Sequence, residues 1–175
     1  MKIVKILLII VAVIAVIILG SIMVLPSESH VERSTVIDAP RSEVYAALNG
    51  FENFNKWSPW AQIDPENTKY SFEGPSTGVG SKMSWKSDNS DVGSGSQEIV
   101  ESSDSKIKVE MYFEGFDDPA YAAYVLEDEG SGTKVTWTFD TELSGIGKIW
   151  GVMMDGMLGP QYEEGLSNLK GMIEG

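Results

Sequence analysis

The chain lacks cysteine and has very little histidine. Its 175 residues include no Cys and one His, His30. The absence of Cys excludes disulfide bonds, a thiol nucleophile and lipid attachment at a cysteine, and a single His leaves none of the usual zinc-ligand sets. His30 lies at the start of a predicted strand, where a solvated position is expected, so it would not reach a serine elsewhere in the domain. The sequence therefore predicts neither a catalytic set nor a metal site.

Glycine-rich phosphate-binding motifs are also missing. Residues 78–80 (GVG) and 145–147 (GIG) each contain two glycines. Neither segment has the third glycine, or the strand-to-helix setting, of a dinucleotide-binding fingerprint. Both are typical of turns. The sequence thus predicts no bound cofactor.

Basic residues are scarce. The chain has 13 Lys and Arg against 26 Asp and Glu, a formal charge of −13. Lys2 and Lys5 are the only charged side chains before residue 26. Residues 26–175 therefore carry 11 basic and 26 acidic side chains, a charge of −15. Such a surface repels nucleic acid and anionic lipid, so nucleic acid is excluded as a partner. The carboxylates are spread along the chain, a pattern that favours solubility over a dedicated acidic tail.

What the chain does have is a long apolar segment near its N-terminus. Residues 6–25 are twenty consecutive uncharged residues, the length that an α-helix needs to cross the hydrocarbon core of a bilayer. The apolar part of a secretory signal peptide is shorter, about 7 to 15 residues, and ends at a small-residue cleavage site. The nearest such site, Ser27-Glu28-Ser29, is weak. We therefore predict an uncleaved membrane anchor.

The flanks of this segment predict its orientation. Lys2 and Lys5 precede it, whereas Pro26 and Glu28 follow it. The positive-inside rule places residues 1–5 in the cytoplasm. Residues 28–175 are then expected outside the cytoplasmic membrane, as the only domain of a single-pass protein.

From residue 30 onward, apolar residues recur mainly at every second position, which is typical of β-strands. The segments between these runs are rich in Gly, Pro, Asn, Asp and Ser, the residues that turns require. Short connections between consecutive strands indicate an antiparallel meander. The predicted strands are residues 30–38, 68–74, 81–87, 94–102, 106–115, 120–127 and 134–143.

Two short helices are predicted between the first two strands. Pro40 suits the first position of a helix that ends at Gly50, because its missing N–H costs nothing there. A second short helix is predicted over residues 54–63. Both would interrupt the sheet before the meander begins.

A long C-terminal helix is predicted over residues 147–174. Ile149, Met153 and Met157 lie on one of its faces at helical spacing. Pro160 lies inside this segment, where it lacks an N–H donor and clashes with the carbonyl four residues back. We expect a kink or a break at this proline, and the glycines of the segment are expected to weaken the helix further.

Several segments carry a resemblance to a known superfamily. They are residues 30–40 (HVERSTVIDAP) followed by Val44, residues 55–60 (NKWSPW), residues 135–139 (VTWTF), and residues 154–155 (MD), 159–160 (GP) and 164–166 (EGL). They resemble membrane-anchored bacterial members of the SRPBCC superfamily, which includes START-like lipid carriers and polyketide cyclase/dehydrase-type proteins. The resemblance covers residues 28–175. It implies an α+β helix-grip (START-like) fold, a seven-stranded antiparallel sheet wrapped around the long C-terminal helix.

A sheet and a helix packed in this way leave a cavity between them, and the resemblance implies that a hydrophobic small molecule or lipid binds there. Side chains that alternate onto one face of a strand can line the cavity. Methionine suits such an irregular apolar site because its side chain is flexible, and plain hydrophobic core is the alternative for the same residues. The predicted lining residues are Met83, Trp85, Val109, Met111, Phe113, Trp137 and Phe139, with Ile149, Met153 and Met157 from the helix.

The segment from Trp57 to Trp60 is predicted at the mouth of this cavity. Two indoles can clamp an apolar ligand while their N–H groups orient its polar end. A structural plug that holds the loop by packing is an equal alternative. The polar candidates for the same cavity are Arg33, Tyr70, Tyr112 and Tyr124.

Three functions are compatible with these features. The leading hypothesis is a membrane-tethered domain that binds a hydrophobic small molecule or lipid. The second is a polyketide cyclase- or dehydratase-like enzyme that acts by holding its substrate in place, which requires a buried Arg, Asp or Tyr with a displaced pKa in the cavity. The third is a protein-interaction domain like the heat-shock ATPase activators of the superfamily, which requires a collapsed cavity and an exposed apolar patch.

Overall fold

The computed structural model describes residues 2–175, which form an N-terminal helix followed by one α+β domain. The helices are α1 (Lys2–Val24), α2 (Arg41–Leu48), α3 (Phe54–Trp57) and α4 (Gly147–Glu174), with a 3-10 turn at Pro59–Gln62. The strands are β1 (Glu28–Ile37), β2 (Lys69–Glu73), β3 (Lys82–Lys86), β4 (Ser94–Ser103), β5 (Lys106–Phe113), β6 (Ala120–Glu129) and β7 (Gly132–Glu142).

The seven strands form a single antiparallel sheet in the order β1-β7-β6-β5-β4-β3-β2. Strands β2 to β7 each pair with their neighbours in sequence, as short turn-rich connections favour, and β1 pairs with the last strand. The register shifts between Ile99 and Glu101 of β4, which marks a β-bulge that bends the sheet. The seven predicted strands are thus confirmed. The first begins at Glu28, earlier than predicted, because Glu28 and Ser29 also pair with β7.

Helix α4 lies along β1 and runs in the same direction. Near the start of β1, the Ser29 hydroxyl donates to the carbonyl of Gly151 at 3.2 Å. Near its end, the Lys170 ammonium donates to the carbonyl of Val36 at 2.7 Å. The two elements therefore stay in register over most of their length, and this fixes which face of α4 meets the sheet.

Helix α4 continues without interruption through Pro160, so the predicted break is wrong, and the predicted kink stays a prediction. The ring of Pro160 is exposed, while Gly159 and Tyr162 on either side of it are buried. Tertiary packing before and after the proline offsets the backbone hydrogen bond that the proline removes.

Prolines shift both short helices from their predicted positions. Pro40 precedes α2 as its N-cap and is not its first helical residue. The helix predicted over residues 54–63 is divided at Ser58, which has extended φ and ψ angles of −63° and 125°. A proline disfavours the helical conformation of the residue before it, and Ser58 directly precedes Pro59. As a result, Trp57 ends α3 and Trp60 lies on the separate 3-10 turn.

The hydrophobic core lies between the inner face of the sheet, helices α2 and α3, and the C-terminal half of α4. Its buried members all fall within residues 31–169, and they include Val31, Val44, Trp57, Ile99, Leu126, Trp137, Tyr162 and Leu169. Helix α1 has no buried residue. The core of the domain is therefore complete without α1.

Helix α1 carries no charged residue after Lys5. Its mean hydropathy reaches 3.3 over an 18-residue window, and none of that window is buried. A helix with this length and composition is able to span a membrane. A signal sequence at the same place in a chain has the same properties.

Candidate functional site

The strand register brings most of the predicted site residues to the inner face of the sheet. Directly paired residues in an antiparallel sheet point to the same face. One row of pairs joins Met83, Gln97, Met111 and Ala120, and a neighbouring row joins Trp85, Gly95 and Phe113. Alternation then assigns the remainder. The predicted residues on this face are Arg33, Tyr70, Met83, Trp85, Val109, Met111, Phe113, Tyr124, Trp137 and Phe139.

Five aromatic residues fill one half of the space between this face and the helices. We call them the aromatic plug, and they are Trp57, Trp60, Tyr124, Trp137 and Tyr162. Trp137 stacks on Tyr162 with ring centroids 3.9 Å apart, and the edge-to-face contact of Trp57 with Trp137 spans 5.3 Å. Trp60 meets the same Trp137 ring at 6.1 Å. Both tryptophans of the 57–60 segment thus belong to a packed cluster, so the plug alternative describes this half of the site.

The plug contains polar atoms that no protein atom satisfies. The indole nitrogens of Trp57 and Trp137 are buried without a hydrogen-bond partner, as is the hydroxyl of the adjacent Ser58. Edge-to-face packing of indoles offers an N–H the weak alternative of an aromatic face, but each unpaired donor still carries a desolvation cost. Burial raises the pKa of Tyr124 and that of Tyr162 above the ordinary value for a phenol.

The other half of the inner face is partly exposed. We call it the apolar groove, and its residues are Trp85, Met111, Phe113 and Phe139 on the sheet with Met154 and Leu158 on α4. All of these except Phe139 are only partly buried. Trp85 and Phe113 lie edge to face at 5.8 Å, and Phe113 lies 6.5 Å from Phe139. The groove therefore combines a continuous aromatic wall with partial exposure to solvent.

Small residues lie beside the large side chains on the sheet side of the groove. Ala120 and Ala122 of β6 lie between Met111 and Phe139 on the same face, and both are buried. A Cβ atom at Gly95 would lie 2.6 Å from the Trp85 ring, so only glycine lets that indole lie across β4. The indole N–H of Trp85 donates to the carbonyl of Val92 at 3.3 Å, which holds the ring in this position.

The helix side of the groove differs from the prediction. Met153 and Met157 are 52% and 53% exposed, and Ile149 is only partly buried. Met154 and Leu158 pack against the core in their place. Both sets have helical spacing, so the pattern alone did not distinguish them. The attachment of α4 to β1 sets the rotation of the helix and turns Met153 and Met157 outward.

Arg33 provides much of that attachment and does not point into the groove. Its guanidinium donates to Asp155 at 2.8 Å and to Glu163 at 2.7 Å. A Cβ atom at Gly159 would overlap the same guanidinium. The hydrogen bonds and charge of Arg33 lower the pKa of Asp155. The predicted role of Arg33 as a polar pocket group is therefore replaced by a structural one.

The three predicted tyrosines occupy different places. Tyr112 lies between Met111 and Phe113 on the outer face and is 43% exposed, so its assignment to the cavity is wrong, as strand alternation requires. Tyr124 belongs to the plug. Tyr70 pairs with Trp85 at the far edge of the sheet, where burial raises its pKa.

Two surface pockets lie away from the groove. One, of about 130 Å³, is lined by Phe51, Phe72 and the turn at Gly74. The other, of about 360 Å³, is acidic and includes His30, Tyr121 and Asp140. His30 is exposed, as predicted, and its Nδ1 lies 2.6 Å from Asp140. Within residues 2–175, no group of three or more metal-ligating side chains comes together.

A family model described as polyketide cyclase / dehydrase and lipid transport matches residues 28–174. The chain belongs to this family. The match begins at the first residue of β1 and ends at the last residue of α4, so it covers the whole domain and leaves out α1. The SRPBCC resemblance and the helix-grip fold that it implied are thereby confirmed.

Solved structures share the same fold. CV1439 from Chromobacterium violaceum is 18% identical with a TM-score of 0.60, and the match covers 84% of this chain and 98% of that protein. KanY is 18% identical with a TM-score of 0.63, covering 86% and 100%. The di-domain ARO/CYC protein BexL from the BE-7585A biosynthetic pathway is 15% identical with a TM-score of 0.62, covering 90% of this chain and 53% of BexL. At such identities the likeness establishes the fold alone. No curated protein matches the chain.

The sequence analysis did not identify several residues that shape the site by their size or packing and carry no reactive group. Ala120 and Ala122 alternate with larger residues on β6, and this alternation was visible in the sequence. Tyr162 was visible as part of the helix face, but its stacking on Trp137 depends on how close α4 comes to β7. A Cβ atom at Gly165 would lie 2.9 Å from the Trp137 ring, so the glycine permits that approach.

Proposed function

We propose that the domain binds an apolar small molecule, a lipid or an isoprenoid-like compound, in the apolar groove, and that α1 tethers the domain to a membrane. The observation that carries the proposal is the contrast within one inner face. One half is filled by the aromatic plug, whereas the other half presents partly buried apolar side chains over two alanines.

The chemistry of the groove suits an apolar ligand. Its side chains are aromatic rings, two methionines and a leucine, and burial of apolar ligand surface against them contributes roughly 25 cal/mol per Å² before the costs of binding. Met111 on the sheet and Met154 on α4 are both partly buried and packed against the core, and flexible thioethers adapt to ligands of different shape. The groove is therefore suited to recognition by shape.

The enzyme hypothesis has less support from the residues present. BexL and related neighbours are described as ARO/CYC proteins, and a cyclase can act by positioning a folded substrate. The polar candidates, however, do not belong to the groove. Arg33 is bound by two carboxylates. Burial displaces the pKa of Tyr124, as the enzyme hypothesis requires, but Tyr124 lies in the plug against Trp137, and Tyr70 lies on the strand at the far edge of the sheet. Binding without chemistry is the function that the groove supports best.

A matched pair of substitutions tests the proposal. Met111 faces the groove and its neighbour Tyr112 faces outward, so Met111→Trp fills the groove while Tyr112→Trp adds the same indole outside it. The fragment of residues 26–175 contains the entire core and is the protein to use. We expect the uncharged apolar dye N-phenyl-1-naphthylamine to bind the wild-type fragment with a Kd of about 1 μM.

The dye titration is read from its emission, with excitation above the indole absorption band. Met111→Trp should weaken binding by at least about tenfold, equivalent to about 1.4 kcal/mol, and Tyr112→Trp should leave it unchanged. Circular dichroism checks that both variants are folded. Equal dye binding by wild type and a folded Met111→Trp variant would show that the groove is ordinary core.

A further inference from the structure

The N-terminal half of α4, together with its N-cap Ile146, exposes apolar side chains along one face. We call them the α4 stripe, and they are Ile146, Trp150, Met153 and Met157, which are 65%, 58%, 52% and 53% exposed. Their spacing of four, three and four residues keeps them on one side of the helix. Met154 and Leu158 of the same segment pack on the core. The stripe is therefore a second apolar face of α4 that the domain does not cover.

The stripe begins where the apolar N-terminal helix ends. Only residues 25–27 separate α1 from β1. The amide of Leu143 donates to the carbonyl of Ser27 at 2.7 Å, and the Lys148 ammonium donates to the carbonyl of Leu25 at 3.2 Å. Both donors lie within seven residues of Trp150 in the chain. If α1 spans a bilayer, these contacts keep the stripe close to the bilayer surface.

A second exposed aromatic residue lies at the same end of the domain. Phe116 is 69% exposed in the loop between β5 and β6. The first residue of β6, Ala120, pairs with Thr141 at the end of β7, and Thr141 also pairs with Ser29. The β5–β6 loop and the start of α4 thus project from the end of the sheet to which α1 is connected.

We propose that the α4 stripe and Phe116 dock in the interfacial region of the bilayer that holds α1, so that the end of the apolar groove at Phe113 and Phe139 faces the lipid. The proposal rests on the membrane tether of the proposed function. It also specifies the source of the ligand, since Phe113 and Phe139 of the groove lie at this same end of the sheet. The ligand class is then a membrane-resident lipid that enters directly from the bilayer.

The chemistry of the surface identifies the kind of bilayer contact. Tryptophan and other amphipathic rings favour the headgroup level of a membrane, and the partial burial of an apolar helix face there is the mode used by interfacial helices. The domain carries a charge of −15, so docking depends on apolar contact and gains nothing from anionic lipid.

Because the chain contains no cysteine, a single introduced cysteine can be labelled at one chosen site. Single substitutions Trp150→Cys, Met153→Cys and Phe116→Cys are made in the full chain, labelled with the environment-sensitive fluorophore NBD, and placed in phosphatidylcholine nanodiscs. Ser167→Cys is the matched control, because Ser167 is exposed on the same helix about 25 Å further along its axis. Ile14→Cys reports on α1.

Quenching by nitroxide-bearing lipid is compared with quenching by aqueous iodide. We expect labels at 150, 153 and 116 to be quenched at least about threefold more by lipid nitroxide than the label at 167, and to be protected from iodide. A lipid-quenched label at 14 with iodide-quenched labels at 150 and 153 would overturn docking and leave the tether standing. An iodide-quenched label at 14 would overturn the tether and the docking together. Labels at 150 and 153 protected from both quenchers would show a protein partner or a second copy on the stripe, which also overturns docking.

Discussion

Glycines of α4 play two different parts, which spacing alone did not reveal. Gly151, Gly159 and Gly165 lie where the helix approaches its neighbours closely, whereas a Cβ atom at Gly156 meets nothing within 4 Å. At Gly165 the added atom would lie 2.9 Å from the Trp137 ring and 3.2 Å from Pro59. The cost of glycine in a helix is thus repaid by packing at some positions and not at others.

The contrast predicts opposite effects of the same substitution. Gly156→Ala should stabilise the fragment of residues 26–175 by up to about 1 kcal/mol, because alanine loses less backbone entropy in a helix. Gly165→Ala should destabilise it by about 1 to 3 kcal/mol, because the plug is already closely packed. Urea denaturation of the two variants and wild type measures both. Stabilisation by Gly165→Ala would mean that α4 does not press against Trp137.

At the scale of elements, the junction between β1 and α4 decides the rotation of the helix. Ile149, Met153 and Met157 form an apolar face as regular as that formed by Met154 and Leu158, so hydrophobic periodicity did not select between them. The selection came from Arg33, which lies on the inner face of β1 and reaches across to Asp155 and Glu163. A long-range ion pair of this kind has no signature in local sequence spacing.

This junction predicts a pH dependence. Hydrogen bonds from Arg33 hold the pKa of Asp155 below its ordinary value of 3.8, so the folded state binds this proton less readily than the unfolded state. The stabilisation is therefore fully present above the unfolded pKa and is lost as the pH falls through the folded pKa. We expect Asp155→Asn to lower the urea midpoint at about pH 7, and the deficit to shrink towards zero near pH 2.

Glu164→Gln supplies the control for this experiment, because Glu164 is an exposed carboxylate one residue from the junction. It removes one negative charge without touching Arg33, so it should leave the midpoint nearly unchanged at both pH values. A deficit in Asp155→Asn that persists unchanged at low pH would show that the side chain acts by packing, with no contribution from its charge.

At the scale of the whole molecule, α1 and the domain are separate physical units. The domain buries its own core. Helix α1 leaves its apolar surface unburied, and contact of that surface with water is unfavourable. Membrane insertion of α1 with Lys2 and Lys5 in the cytoplasm would place residues 28–175 outside.

Protease added to spheroplasts tests this orientation. We expect the domain to be digested while a cytoplasmic marker protein stays intact, because the outward domain is accessible and the membrane protects the cytoplasm. The undigested protein should have the mass of the full chain. Protection of the domain until lysis would reverse the orientation, and a mature protein that begins near Ser27 would identify α1 as a cleaved signal sequence.

The sequence by itself determined the parts of this protein that depend on local pattern. Alternation set the seven strands and their inner faces, the turn residues between them set the antiparallel meander, and the uncharged length of residues 6–25 set the character of α1. These properties follow from periodicity and composition within short segments. They were sufficient to place Met83, Trp85, Met111, Phe113 and Phe139 on one face, and to predict the helix-grip arrangement through the family resemblance.

Only the tertiary structure decided which apolar residues pack in the core and which stay exposed to solvent. Trp57 and Trp137 became a plug because Gly165 lets α4 bring Tyr162 onto the Trp137 ring. Met153 and Met157 lie on the surface because the ion pairs of Arg33 with Asp155 and Glu163 set the rotation of α4. Both outcomes depend on contacts between different strands and helices, and no local sequence pattern determines how closely those elements pack.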